Sequence, residues 1–140
     1  MNDRYLYRAK RKDDGEWVEG YLVYDNFDHE YRIVIELDYS TGTCFHTMMA
    51  PRVDPSTKCQ CTGVYDKNKK TIFEKDIVND EDGSTGIVEY GMYAHYHIGF
   101  FVRWLNKEAE YYRNELGYWA DKVECIGSAI DNQELLEVGE

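Results

Sequence analysis

Alternation of apolar and polar positions dominates the first hundred residues and predicts a chain built mainly from short β-strands. The residues from Tyr5 to Ala9 alternate as a first strand, and a polar cluster at 13–16 turns the chain into a second strand at 17–24. Another polar cluster then leads into a predicted third strand at 31–39. The apolar side of this third strand consists of Ile33, Ile35 and Leu37.

The middle of the chain joins a region without a regular pattern to a region rich in turn residues. Residues 43–50 lack alternation, and Pro51 and Pro55 bracket a predicted loop that carries Arg52 and Asp54. The elements predicted farther along are turns at 66–69 and 82–83 and strands at 71–73, 76–78 and 86–90. Short strands joined by tight turns favour a small, strongly bent sheet or barrel.

The C-terminal third begins with a loop of aromatic and His residues, followed by a predicted buried strand at 97–105. Residues 106–120 are predicted as a helix because apolar residues recur there at helical spacing. This stripe consists of Ala109, Tyr112, Leu116 and Trp119. Gly117 weakens a helix by about 1 kcal/mol relative to Ala, so we expect the helix to end early.

A last strand and a last helical turn complete the predicted elements. Residues 123–130 have the apolar character of a strand, and residues 131–137 are predicted as a terminal helical turn. Asp131 is the expected cap of that turn, with Glu134 as its return partner. The whole pattern predicts one α+β domain over residues 1–140 that is mainly β.

Composition narrows the classes of function. The 140 residues include 27 acidic and 16 basic side chains, for a net charge of −11, together with 13 Tyr, 5 Phe and 3 Trp. The aromatic content argues against disorder, because it supplies enough apolar surface to offset the entropy of ordering. The acidic excess argues against a general nucleic-acid binder, since phosphates are neutralised by Lys and Arg.

The sequence also indicates a cytoplasmic protein. No apolar run approaches the ~20 residues of a membrane-spanning helix, and the N-terminus lacks the apolar core of a signal peptide. We therefore expect no membrane partner. The four cysteines, Cys44, Cys59, Cys61 and Cys125, are expected to be reduced thiols.

Three pairs of metal-ligand residues at i,i+2 spacing raise a zinc hypothesis. The pairs are Cys44 with His46, Cys59 with Cys61, and His95 with His97. Their spacing differs from that of structural zinc sites, and a chain of this length folds without a metal. We predict no metal and no cofactor, and interpret these residues as buried thiols and ordinary histidines.

No catalytic motif stands out. Cys125 lies beside Glu124 in a predicted strand, which disfavours a thiolate. The acidic run at 80–83 lacks the spacing of a calcium loop and is interpreted as a solvated hairpin tip. We predict that the protein is not an enzyme.

Charge is distributed unevenly along the chain. Residues 1–13 carry five basic and two acidic side chains, a net of +3, whereas residues 106–140 carry three basic and nine acidic ones, a net of −6. Such patches allow head-to-tail docking between copies, and Tyr and Trp are typical of interface cores. We predict a homo-oligomer; the alternative is a basic strand face that is simply solvated.

Three blocks of the sequence carry a family resemblance. They are RYLYRAKRKDDGEWVEGYLV at 4–23, VDPSTKCQCTGVYDKNKKTIFEKDIV at 53–78 and ECIGSAIDNQELLE at 124–137. The chain resembles the YopX proteins of bacteriophages and integrated prophages, with 53–90 as the most specific segment. The resemblance implies a small, strand-rich domain, SH3-like in part, that self-associates in the host cell and has no established biochemical activity.

The middle block departs from the family at two positions. An aromatic residue often stands where this chain has Cys61, and a Gly where it has Lys75, which argues against a positive-φ turn at that position. Asp54, before a proline, is expected to cap the following turn. Glu74 and Asp76 allow two interpretations: a carboxylate pair for acid–base work or cation binding, or turn residues that are solvated or accept backbone N–H bonds.

We expect a non-enzymatic, self-associating module that binds a host or phage protein. The first alternative is an acidic nucleic-acid mimic that inhibits a host DNA-acting protein. Its carboxylates would be Glu74, Asp76, Asp80, Glu81, Asp82 and Glu89. The second alternative is weak single-strand nucleic-acid binding through Tyr5 and Tyr7 on the basic first strand.

Overall fold

The computed structural model describes residues 5–38, 47–94, 96–105 and 114–136. The strands are β1 (Tyr7–Arg11), β2 (Trp17–Asp25), β3 (Glu30–Val34), β4 (Glu36–Asp38), β5 (Thr47–Met49), β6 (Val53–Tyr65), β7 (Thr71–Phe73), β8 (Asp76–Asn79), β9 (Thr85–Tyr93), β10 (His97–Trp104) and β11 (Glu124–Ser128). The helical elements are α1 (Leu116–Trp119) and 3-10 turns at Ala120–Lys122 and Gln133–Leu136. The protein is therefore mainly β, as predicted.

The chain divides into two compact units, and the first is Met1–Cys61. Its strands lie in the order β3-β2-β1-β6, with antiparallel neighbours, and β4 pairs with β5. The predicted hairpin of β1 and β2 is confirmed. Its small core consists of Ala9, Ile33 and Val53, with Tyr7, Val18 and Leu22 packed against it.

Two predictions in this unit are wrong. The single strand at 31–39 is interrupted at Ile35, which is exposed between β3 and β4. The predicted proline-bracketed loop is instead the start of β6, which contains Pro55. Pro55 is accommodated because the β1–β6 register shifts there, and the Lys10 N–H donates to the Thr57 hydroxyl (2.8 Å) rather than to a carbonyl.

The second unit is Thr62–Glu140. Here β7 follows β6 in strand order, and a four-stranded sheet has the order β10-β9-β8-β11 with antiparallel neighbours. The core is larger than that of the first unit and consists of Ile72, Val78, Val88, Val102, Trp104, Leu116, Ala120, Val123 and Cys125. The strands and turns predicted between residues 62 and 90 are confirmed.

Other predictions for this unit need correction. The helix expected at 106–120 is reduced to α1, because Glu115 is extended and forms a bridge with Phe101; residues 106–113 lie outside the described ranges. Strand β10 is buried only in its second half. The terminal turn is 3-10, and the Ile130 and Asp131 N–H groups that lead into it donate to the Ser128 hydroxyl.

The predicted alternative of a barrel is wrong for the part of the chain that the structure describes. The strand orders there run from one edge strand to another, so the sheets are open. Over the same ranges, none of the helices has the length and apolar character needed to cross a membrane.

Candidate functional site

An exposed apolar surface lies on the outer half of the β9–β10 hairpin, which we call the aromatic arm (residues 90–100). The strand register places Tyr90 opposite Phe100 and Met92 opposite Ile98, so these four side chains share one face. Tyr90, Met92 and Ile98 are 55%, 66% and 68% exposed, and Tyr96 in the connecting turn is 89% exposed. The Tyr90 and Phe100 rings meet edge to face, with centroids 5.0 Å apart. The arm thus presents an aromatic pair followed, toward its tip, by an aliphatic pair.

The opposite face of the arm is held by stacked rings. The Tyr93 ring stacks on those of His97 and Phe101, with both centroid distances 5.3 Å. Gly91 and Gly99 face each other in this stretch, and the Phe101 ring comes within 4.0 Å of where a Cβ on Gly91 would be. Aromatic rings therefore cover the backbone where side chains are missing, which holds the arm in one shape.

The arm is also free of formal charge. Residues 90–102 contain no Asp, Glu, Lys or Arg, although these types make up 31% of the chain. An ion pair between Arg103 Nε and Glu89 Oε2 (2.9 Å) marks the base of the arm. Sequence analysis placed a loop at 91–96 and missed this feature. The signal that could have found it was the absence of charge in a strongly charged chain.

The basic residues of the first unit lie around a cleft of about 580 Å³. It is lined by Arg11, Lys12, Asp13, Glu30, Arg32, Pro51 and Arg52. Lys12 Nζ pairs with Glu30 Oε1 (2.6 Å), and both Arg32 and Arg52 pair with Asp28. These cations are compensated within the unit, so the cleft does not present a positive surface to an anion.

The pKa directions in this cleft agree with the pairing. The hydrogen bond from Arg11 lowers the pKa of Asp13, and the same contact raises the pKa of Arg11. Partial burial opposes ionisation of Asp28, but hydrogen bonds from Arg32 and Arg52 lower its pKa overall. These groups therefore stay charged at neutral pH and are unsuited to acid–base chemistry there.

The basic first strand also has internal partners. Arg8 Cζ lies 4.8 Å and Lys10 Nζ 5.4 Å from the centroid of the Trp17 ring. Arg4, which belongs to the predicted basic patch, lies outside the described residues. These two cations of β1 are thus engaged with this ring, which weakens the case for a basic docking face.

Carboxylates of the middle block are used as internal hydrogen-bond acceptors. Asp66 is only 4% exposed, and its oxygens accept N–H bonds from Asn68 (2.8 Å), Lys70 (2.9 Å) and Cys125 (3.0 Å). Burial opposes its ionisation, but these bonds lower the pKa of Asp66 overall. Asp76 is buried and accepts the Phe73 N–H (2.8 Å), as the second interpretation of this residue predicted.

The Cys125 thiol lies against the same two carboxylates. Its sulfur is 3.5 Å from Asp76 Oδ2, and burial, followed by the charges of Asp76 and Asp66, raises the pKa of Cys125. The thiol is therefore protonated at neutral pH, as expected from the sequence. A protonated, buried thiol is a poor nucleophile.

The acidic hairpin between β8 and β9 is only partly solvated. Glu81 and Asp82 are exposed, but Asp80 is buried and accepts N–H bonds from Asp82 (3.0 Å) and Ser84 (2.9 Å). The prediction of a wholly solvated tip is therefore wrong for Asp80. Its carboxylate closes the turn instead.

A cleft of about 510 Å³ adjoins this hairpin in the second unit. It is lined by Lys67, Asp80, Glu81, Asp82, Tyr118, Trp119, Asp121 and Lys122. Lys122 Nζ lies 4.2 Å from the Tyr118 ring centroid and bonds to Tyr118 O (2.9 Å) and Asp121 (3.2 Å). The position that a cationic ligand would take on Tyr118 is therefore occupied by the chain's own lysine.

The zinc hypothesis can be followed only in part. Cys59 and Cys61 are buried on one side of β6, and the Cys59 thiol donates to Thr57 O (3.4 Å). Cys44, His46 and His95 lie outside the described residues, and His97 belongs to the ring stack of the arm. Among the side chains that the structure describes, no three His, Cys, Asp or Glu residues form a group able to hold a metal ion.

Comparison with protein families assigns the chain. A family model described as YopX protein matches residues 6–137 and thus spans parts of both units. The chain belongs to the YopX family. A comparison with curated proteins found no match.

In this YopX family member, the turn between β7 and β8 is built around Lys75. The residue has φ of +71° despite its side chain, so the expectation that Lys would argue against a positive-φ turn is wrong. Its N–H donates to Val88 O (2.6 Å) and its carbonyl accepts from Ala129 N (2.8 Å). These two bonds hold the backbone in a conformation that glycine adopts more easily.

Proposed function

We propose that this YopX family member is a non-enzymatic protein-binding module that works through the aromatic arm. The observation that carries the proposal is an exposed, uncharged strand pair in a chain of net charge −11. Interface cores are enriched in aromatic residues and Met and depleted of charged residues, which is the composition of residues 90–100. Because stacked rings already hold the arm, a partner would meet a preorganised surface at little entropic cost.

The chemistry of the buried carboxylates supports a non-enzymatic role. Asp66, Asp76 and Asp80 accept backbone N–H bonds that close turns or join β11 to the 66–70 turn. The Cys125 thiol beside Asp66 and Asp76 is protonated. These groups have structural tasks, and the family resemblance supports a phage or prophage protein that acts in the cytoplasm of a bacterial host.

A finer fold relation belongs to the same proposal. The short strands β7 and β8, joined by a two-residue turn at Glu74 and Lys75, support an SH3-like relation for the second unit. In this proposal the unit is an open relative of such a fold, since its four-stranded sheet runs from one edge strand to another.

The alternative of a nucleic-acid mimic has less support. It requires a spaced array of exposed carboxylates, but Asp76 and Asp80 are buried, while Glu81 and Asp82 remain exposed. Single-strand nucleic-acid binding is also less favoured, because Arg8 and Lys10 lie over Trp17. The exposed arm suits neither of these alternatives.

The proposal is tested by affinity purification of the tagged chain from prophage-carrying bacteria at two salt concentrations. Between roughly 0.1 M and about 1 M salt the Debye length falls from ~10 Å to ~3 Å, which weakens charge-based capture. We expect at least one protein, a second copy of the chain included, to be retained at high salt by the wild type. The same protein should be lost from a Met92→Lys, Ile98→Lys variant and kept by Tyr65→Lys, a control at an exposed residue outside the arm.

The other outcomes separate the alternatives. Capture that is lost at high salt and abolished by Glu81→Gln with Asp82→Asn would favour the mimic. Nucleic acid that co-purifies and is released by nuclease would favour the second alternative. Retention of the same proteins by wild type and the arm variant, or no retained protein at either salt, would overturn the proposal.

A further inference from the structure

We infer that the occupant of the aromatic arm is the arm of a second copy of this chain, related by a two-fold axis. In this arrangement the Tyr90–Phe100 pair of one copy packs on the Met92–Ile98 pair of the other. The inference rests on the proposed function and names the partner of that same surface.

The order of side chains along the arm is what a two-fold contact requires. In such a contact, if residue i touches residue j of the other copy, residue j also touches residue i. The aromatic pair lies nearer the sheet and the aliphatic pair nearer the tip. Antiparallel apposition of two arms therefore places rings against Met and Ile at both ends, and thioether–ring contacts are favourable.

Charge also favours a copy of the same chain. Two copies of net charge −11 repel each other over most of their surfaces, and the repulsion is least where residues 90–102 carry no Asp, Glu, Lys or Arg. A different protein would be selected through complementary charges, which supply specificity at interfaces. The arm offers no such charges, whereas its own face supplies a matching partner.

The exposed area is adequate for a reversible dimer. Fully buried aromatic side chains cover about 150–250 Å² each, so the four exposed side chains of the arm present roughly 500 Å² per copy. Two copies would bury about 1,000 Å², near the lower limit for a specific interface. We therefore expect a dimer that dissociates on dilution.

The inference is tested by sedimentation velocity over a concentration series at low and high salt, using variants of complementary charge. Tyr90→Lys and Met92→Glu are each expected to be monomeric, because each places uncompensated charges in the apolar contact. An equimolar mixture should form a heterodimer, because the lysine introduced at position 90 of one chain then faces the glutamate introduced at position 92 of the other. Tyr65→Lys should dimerise like the wild type, and circular dichroism should show all variants folded, since the changed side chains are exposed.

Each result has a defined meaning. A wild-type monomer at every concentration, single variants that still dimerise, or a mixture that stays monomeric would each overturn the two-fold arm contact. If the wild type is monomeric but retains another protein through the arm at high salt, this inference fails and the proposed function stands. If no protein of either kind is retained through the arm, both fail.

Discussion

The two units hold similar antiparallel sheets together by different means. The first has a core of three buried residues, and several of its side chains are joined by ion pairs around Asp28. The second has a nine-residue core and a buried carboxylate, Asp66, that joins distant backbone segments. The first unit therefore depends more on charges near solvent, and the second on apolar burial and internal hydrogen bonds.

The long hairpins of the two units show the same contrast. Phe27 at the tip of the β2–β3 hairpin is 98% exposed, more than Tyr96 at the tip of the arm. Its surroundings are charged, however, because Asp25 and Asp28 bind Arg32 at the same tip. Exposure alone therefore does not identify an interface. The absence of charge and the bracing by rings distinguish the arm.

The largest expected effect breaks the hydrogen-bonding centre of the second unit. Asp66→Ala should destabilise the protein by about 3–5 kcal/mol, because three backbone N–H groups lose a charged acceptor. Asp54→Ala in the first unit should cost less, since Asp54 accepts from Ser56 in a solvent-accessible turn. Urea unfolding measures both, with exposed Asp82→Ala as a control expected to change stability by less than about 0.5 kcal/mol. Equal losses for Asp66 and Asp82 would contradict this role.

The acid limb of stability gives a second test of Asp66. Its pKa in the folded protein is lowered from 3.8, so its contribution is complete above that value and is lost as pH falls toward the folded pKa. Asp66→Asn should therefore reduce the loss of stability below about pH 4. An unchanged acid limb, measured by thermal unfolding between neutral and acid pH, would show that other groups dominate it.

A pair of glycine substitutions compares the two hairpins directly. A Cβ on Gly20 in β2 would overlap the carbonyl oxygen of Val34, whereas nothing lies within 4 Å of one on Gly99 in β10. Gly20→Ala should destabilise by roughly 2–3 kcal/mol through overpacking. Gly99→Ala should be neutral or slightly stabilising, because Gly weakens a strand. The ratio of the two losses in urea is the measurement, and similar losses would contradict the close approach at Gly20.

A smaller effect concerns strain in the second unit. Lys75→Gly should stabilise the protein by about 0.5–1 kcal/mol, because relief of the left-handed conformation exceeds the added entropy of the unfolded chain. Lys70→Gly is the control, since Lys70 is not among the positive-φ residues and should lose stability. Stabilisation by both changes, or by neither, would argue against strain at Lys75.

The smallest expected effect separates the bracing of the two hairpins by salt. Asp28→Asn should lower the melting temperature at low salt, and the difference should shrink toward about 1 M salt, because its partner Arg52 is exposed. Tyr93→Leu removes ring stacking in the arm and should lower the melting temperature equally at both salts. A salt-dependent loss for Tyr93→Leu would remove the distinction.

Local chemistry was enough to predict many of these elements. The turns at 66–69 and 82–83 depend on Asp and Gly within a few residues, and the structure places them as the sequence predicts. The first hairpin likewise follows from alternation on both sides of a polar cluster. The family block at 53–78 is largely a set of such turns and strands, which explains why it is recognisable without revealing an activity.

What the sequence by itself determined is therefore the mainly β class, the hairpin turns and the family. The tertiary structure alone decided that β6 runs through Pro55, because that depends on a register shift against β1 and on the Thr57 hydroxyl. It also decided that Asp66 and Asp76 are buried acceptors and that Tyr90 and Met92 are exposed. Turn conformation is set by neighbouring residues, whereas burial and strand pairing depend on residues far apart in the chain.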